Sequence, residues 1–292
     1  MVVSAAIAHT AGLLVDLPDA VVPAGRMVEL PGRGSTFVTD SPGPGPDAPT
    51  VVLLHALACT GLLTWFPVIE PLRAHARVIT LDQRWHGRGI RSAEFRLEDC
   101  ADDVAALLDV LGIEDAVVAG YSMGSIIAQR VWRQHPDRVR GLVLAASTDR
   151  FQLTPYERLF FGALTTASAA SRLLPLGTPS PQTETSPAAD GSLEAWALAQ
   201  FRQTTPAGVT RALTALGRHH SRPWLPEIDV PTSVVVMTRD KVIPTSRQVH
   251  LITRIPGAEP YVVAAGHAGC VLDAARFTPV FLRATADTIA RG

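Results

Sequence analysis

Residues 115–135 read DAVVAGYSMGSIIAQRVWRQH, and two kinds of chain meet inside them. The run at 115–120 is apolar and β-branched, the pattern of a strand buried on both faces of a sheet. From Gly124 to His135 the apolar residues return at helical spacing instead. At the junction, Gly120-Tyr121-Ser122-Met123-Gly124 sets a glycine two residues to either side of a serine. Without side chains there, strand and helix can approach around a strained turn that lifts the serine hydroxyl above the sheet.

Outward from that turn the same strand type repeats at 51–55 (VVLLH), 77–82 (RVITLD) and 139–146 (VRGLVLAA). Between them, residues 97–111 form a helix: Leu97, Cys100, Ala101, Val104, Leu108 and Leu111 share one face, opposite Asp99, Asp102, Asp103 and Asp109. Gly112 closes it from the C′ position. Residues 27–40 read as an antiparallel edge hairpin around Pro-Gly-Arg-Gly. The far half adds strands at 232–237 and 259–264 and helices at 244–255, with Pro244 at N1, and at 273–289. Alternating strand and helix implies βαβ units. The expected fold is therefore α/β, a doubly wound, mostly parallel sheet of eight strands.

The alternation fails after Ser147. Residues 148–224 carry helical patterns near 155–174, 193–203 and 206–216 but no strand pattern, and read as an inserted helical cap on a core of 26–147 and 225–292. Within it, 176–192 (LGTPSPQTETSPAADGS) is rich in Pro, Ser and Thr and reads as a mobile loop. Residues 1–25 read as an N-terminal extension. Its apolar stretch lacks the preceding Lys or Arg of a secretory signal.

At 292 residues the chain has room for one large core with an insertion. A content of 47% hydrophobic and 18% charged residues, with a net charge of -1, gives no basic footprint for nucleic acid or an anionic membrane. No apolar run approaches the roughly 18 residues of a bilayer span. The partner implied is a small, neutral or weakly charged molecule, and oligomeric state is not written in the pattern. Cys59, Cys100 and Cys270 have neither the even count of a disulfide scaffold nor CxxC spacing, which fits a reducing cytoplasm. Adjacent His219 and His220 point apart and lack Asp, Glu or Cys at ligand spacing, so no metal is expected.

On the serine turn the chain resembles the α/β-hydrolase superfamily, and the likeness extends over most of 27–289. The resemblance implies the order serine, acid, histidine. Arg239-Asp240-Lys241-Val242-Ile243-Pro244 is similar to that family's acid loop, and Ala265-Gly266-His267-Ala268-Gly269 to its histidine loop, each following a strand. By the resemblance Ser122 is the nucleophile of a small-ester hydrolase with no cofactor, His267 its base and Asp240 the acid orienting the imidazole. Asp240, standing before Val-Ile-Pro, also suits a plain capping role. His55-Ala56-Leu57 resembles the loop that builds half of an oxyanion hole, with Ala56 where relatives carry glycine. The implied donors are the backbone N–H groups of Leu57 and Met123.

The loop Asp82-Gln83-Arg84-Trp85-His86-Gly87-Arg88-Gly89 resembles a buttressing element of the family, departing from it at Trp85 and Gly89. His86 has no serine neighbour at motif spacing, and His267 already fills the base role. Trp65, Tyr121, Phe160, Phe161, Trp196 and Phe201 are candidates to line an acyl pocket, with plain packing as the competing reading. Carbon–carbon bond hydrolysis and perhydrolase chemistry use the same triad, and a non-catalytic relative is the alternative of another class. Epoxide hydrolases and haloalkane dehalogenases need Asp at position 122.

Overall fold

Consecutive residues of a strand point to opposite sides of the sheet, and here the two sets build two cores. Val52, Leu54, Val118, Leu142, Leu144, Val234 and Val236 belong to one, and Val51, Leu53, Val117, Ala119, Val143, Ala145 and Val235 to the other. This is why the strands read as continuous apolar runs. The computed structural model describes residues 21–171 and 193–292. Most of the N-terminal extension and the whole loop at 176–192 lie outside the described residues.

Eight strands form one sheet: β1 (Gly25–Leu30), β2 (Gly34–Ser41), β3 (Thr50–Leu54), β4 (Arg77–Leu81), β5 (Ala116–Tyr121), β6 (Val139–Ala145), β7 (Thr232–Met237) and β8 (Glu259–Val263). Their order is β1-β2-β4-β3-β5-β6-β7-β8, and the antiparallel pairings are those of β2 with β1 and β4. Helices α1 (Gly61–Leu72) and α9 (Ala274–Arg291) cover one face. Helices α2 (Leu97–Val110), α3 (Met123–Gln134) and α7 (Thr245–Arg254) cover the other. A single turn, α8 (Gly269–Leu272), precedes α9. The sheet is doubly wound as expected. Its order reverses between β3 and β5, the point in open α/β sheets where a crevice opens beyond the strand ends.

Between β6 and β7 stand three helices, α4 (Pro155–Ser171), α5 (Leu193–Arg202) and α6 (Pro206–Gly217). Side chains from the α5–α6 region are hydrogen-bonded to the core. The Thr60 hydroxyl donates to Gln200 Oε1 at 2.9 Å, and Thr204 Oγ1 accepts from the Gly87 amide at 3.3 Å. Gly208 lies so near the Trp85 carbonyl that an added Cβ would sit 2.4 Å from its oxygen.

Two local readings need correction, and one helix has no counterpart in the sequence pattern. Helix α1 leaves no helical pattern in the sequence because it is buried nearly all round, which erases the apolar period, and because it contains Pro67 and Pro71. Asp103, assigned to the solvent face of α2, is buried instead, where it accepts from Arg84 and from Arg33 Nε. A carboxylate bound by two guanidinium groups can leave water without remaining unpaired. Pro244 is the N-cap of α7, one residue earlier than expected. Among the described residues no helix is long and apolar enough to cross a membrane.

Candidate active site

Gly120 and Gly124 are required by contact. A Cβ on Gly120 would lie 2.3 Å from the Gly124 carbonyl group, and one on Gly124 would lie 2.0 Å from the Leu54 oxygen. The close approach holds Ser122 at φ 52°, ψ -113°, a strained region for a residue with a side chain. Its amide donates to Ala145 O at 2.9 Å on the neighbouring strand, which pins the turn.

Ser122 Oγ lies 2.9 Å from His267 Nε2, and His267 Nδ1 lies 2.7 Å from Asp240 Oδ2. The three groups thus stand in one line of hydrogen bonds, brought there by the loops after β5, β8 and β7. Asp240 is buried and His267 retains partial access to solvent. The other Asp240 oxygen accepts the Val242 and Ile243 amides, each at 2.8 Å. Gln248 adds a clamp that the sequence did not advertise. Its Oε1 accepts the Met237 amide at 2.8 Å, while Nε2 donates to Ile243 O at 2.7 Å and reaches Asp240 Oδ2 at 3.4 Å.

Met123 opens α3, and the first amides of a helix have no carbonyl partner within it. Leu57 lies in the loop after β3, the strand beside β5. In that loop Ala58 takes φ 65° and the Ala56 amide donates to Thr64 Oγ1 at 3.2 Å. The loop is tied to the one after β4 by His55, whose Nδ1 donates to Ala56 O at 2.7 Å and whose Nε2 accepts the Gln83 amide at 2.8 Å. This pattern needs the neutral ring, and burial, with a smaller effect of His86, pushes the His55 pKa down to about 3.

The loop after β4 is a knot around Asp82. Its carboxylate accepts the Gly61 amide at 2.8 Å, at the N-terminus of α1, and the Arg88 amide at 2.9 Å. Burial raises the Asp82 pKa. His86 is fully buried, donates from Nδ1 to Arg84 O at 2.9 Å, and is held near pKa 4 chiefly by that burial. Trp85, one of the departures from the family pattern, has φ 64°. Its ring lies under Arg211 at 4.5 Å and its Nε1 donates to Ser92 O at 3.1 Å.

The aromatic candidates separate. Trp65 and Tyr121 have no solvent-accessible surface, so neither lines an open pocket. Trp65 packs on Phe281 with ring centroids 4.8 Å apart. Tyr121 donates its hydroxyl to the His267 carbonyl at 2.8 Å, and burial lifts its pKa well above the usual value, which keeps the donor protonated. Trp196 is buried edge-on against Phe66, and Phe161 lies beneath Phe160 and Phe151. Phe160 is exposed and Phe201 half-buried. Burial pushes the thiol of Cys59 up to about 11 and that of Cys270 also upward, so neither is a thiolate at neutral pH. Among the described residues no group of three or more His, Cys, Asp or Glu side chains converges to hold a metal.

A family model described as the alpha/beta hydrolase fold matches residues 49–274. The "Putative carbamate hydrolase RutD" of Escherichia coli O157:H7 is 26% identical over 260 residues, covering 85% of this chain and 96% of that protein. The enol-lactonase from Burkholderia xenovorans LB400 superposes with a TM-score of 0.71 at 23% identity, over 89% of this chain and 100% of its own. A bromoperoxidase from Bacillus anthracis does so at 0.69 and 18% identity, over 90% of this chain and all of its own. At such identities the structural likeness speaks for the fold alone.

Proposed function

This chain belongs to the α/β-hydrolase family, and on that premise we propose that it is a serine hydrolase cleaving a carboxylic ester, or similar acyl bond, of a small apolar substrate. The observation that carries this reading is the unbroken line Ser122 Oγ, His267 Nε2, His267 Nδ1, Asp240 Oδ2, at 2.9 and 2.7 Å. In it, His267 takes the hydroxyl proton as Oγ attacks the acyl carbon. The carbonyl oxygen becomes an oxyanion facing the amides of Leu57 and Met123, donors worth about 10² to 10³ in rate each. When the tetrahedral intermediate collapses, His267 returns the proton to the departing alkoxide. Water, deprotonated by the same ring, then releases the acid and restores Ser122.

Asp240 holds the ring in the tautomer that leaves Nε2 free to accept, and the Tyr121 hydroxyl steadies the His267 backbone. The carbamate in the name of the Escherichia coli relative is also an acyl group, and the same steps would open one. Carbon–carbon hydrolysis is less well supported, because Ala56, Leu57 and Ala58 stand where such enzymes carry Ser and Gly. Three free thiols fit residence in a reducing cytoplasm.

Reaction with a fluorophosphonate probe tests the reading. Wild type should be labelled at Ser122 and Ser122→Ala should not; an unlabelled wild type would end the enzyme interpretation. A series of p-nitrophenyl esters of graded acyl length would then locate the preferred substrate.

A further inference from the structure

Eight residues beyond Ser122, and so about 12 Å along the axis of α3, Arg130 reaches a second cleft of about 300 Å³. Nothing in the proposed catalysis uses it. One wall is the core segment leading into α2, with Arg96 and Glu98. The other is the insertion, with Arg211 and Arg218 from α6 and its C-terminal end. His219 completes the lining.

The lining carries four arginines against two glutamates, Glu94 and Glu98. Arg130 lies 3.6 Å from Glu98, and Arg211 is engaged by the Ala93 carbonyl and the Trp85 ring. Arg96 and Arg218, on opposite walls, have no ion pair or side-chain hydrogen bond among the described residues. His219 is 2% exposed. Both its ring nitrogens are buried without a hydrogen bond of ordinary geometry, the Thr148 backbone being the near polar neighbour.

Like charges gathered in a recess repel one another, and buried polar groups without partners cost free energy. A bound anion relieves both. Guanidinium groups are forks suited to phosphate and carboxylate oxygens, and the cleft is at the small end of ligand sites. We propose that this cleft is a binding site for a small phosphate- or carboxylate-bearing dianion, clasped between Arg96 of the core and Arg218 of the insertion. Because its two walls belong to different parts of the chain, an occupant fastens the insertion to the core.

Thermal unfolding followed at fixed ionic strength tests this, with sodium chloride exchanged for inorganic phosphate, phenyl phosphate or succinate. At least one of the three should raise the midpoint saturably, by about 2 to 4 °C near ten times its dissociation constant. The phosphate and succinate arms separate phosphate from dicarboxylate recognition. In Arg96→Ala/Arg218→Ala that rise should vanish, while the midpoint in chloride falls no lower than in wild type and the fluorophosphonate labelling is unchanged; both side chains are exposed, so the fold does not depend on them. No rise beyond chloride with any of the three, or an equal rise in the double variant, overturns the proposal.

Discussion

Asp240 divides its carboxylate between two tasks, one oxygen 2.7 Å from Nδ1 of His267 and the other closing a turn on the amides of Val242 and Ile243. The capping role and the orienting role, alternatives in the sequence, are filled by different atoms of one side chain.

Asp240→Asn separates them. An amide oxygen can keep the turn, but an amide NH₂ facing Nδ1 favours the ring tautomer with its proton on Nε2, which cannot accept from Ser122. Turnover of a short p-nitrophenyl ester should fall by about 10⁴ with the urea midpoint little changed. Asp240→Ala should lose the same activity and also about 1 to 3 kcal/mol of stability through the unpaired amides. Near-normal turnover in the Asn variant would show that another carboxylate serves.

Glycine to alanine should have opposite signs at two positions. At Gly124 the new Cβ meets backbone 2.0 Å away, which cannot give without moving strand β3. Gly124→Ala should cost about 3 kcal/mol or more and abolish probe labelling. At Gly162, inside α4, no atom of the described residues beyond the helix's own nearby backbone lies within 4 Å of the new carbon. Gly162→Ala should stabilise by about 0.5 to 1 kcal/mol. Urea unfolding of both variants checks the contrast.

Left-handed backbone predicts a second pair. Ala58 and Trp85 have φ 65° and 64°. Glycine relieves strain of about 1 to 2 kcal/mol at such a site, against about 0.4 to 1 kcal/mol for the freer unfolded chain. Ala58→Gly should therefore raise thermal stability slightly. Trp85→Gly should lower it, because the ring stacked on Arg211 and its hydrogen bond to Ser92 are worth more than the strain. Destabilisation by the first substitution would show that the loop after β3 is not strained.

Acid should weaken the fold before the carboxylates titrate. Burial, first among the causes, pushes His55 and His219 to about 3 and His86 to about 4. Unfolded, each binds a proton near pH 6.5. Between about pH 6.5 and 4 the unfolded chain thus binds more protons than the folded one, and stability falls with pH by up to about 1.4 kcal/mol per unit for each histidine. The contribution is complete above pH 6.5. Urea midpoints from pH 8 to 4.5 should show the decline, and His86→Gln should flatten it. A flat profile in wild type would contradict the burial of these rings.

What the chain discloses by itself is whatever depends on short-range pattern. The buried strands and the serine turn with its glycines are legible there, because each is a local demand of backbone geometry or of two-sided burial, whereas the acid and histidine loops are picked out only through the resemblance to the family. Helix α1 is not legible, since burial on every side leaves no period to read. Nor is the true place of Asp103, whose guanidinium partners Arg33 and Arg84 come from two separate loops. Tyr121 and Trp65 looked like pocket residues because they are large, apolar and near the motifs. Only the packed structure could assign one to the His267 carbonyl and the other to the core beside Phe281. The same holds for Gln248, and for the arginines of the second cleft, which are scattered over more than 120 positions and meet only when α6 packs beside the segment leading into α2. A residue's chemical type is fixed by sequence, but its partners lie across the chain, and tertiary packing alone sets those distances.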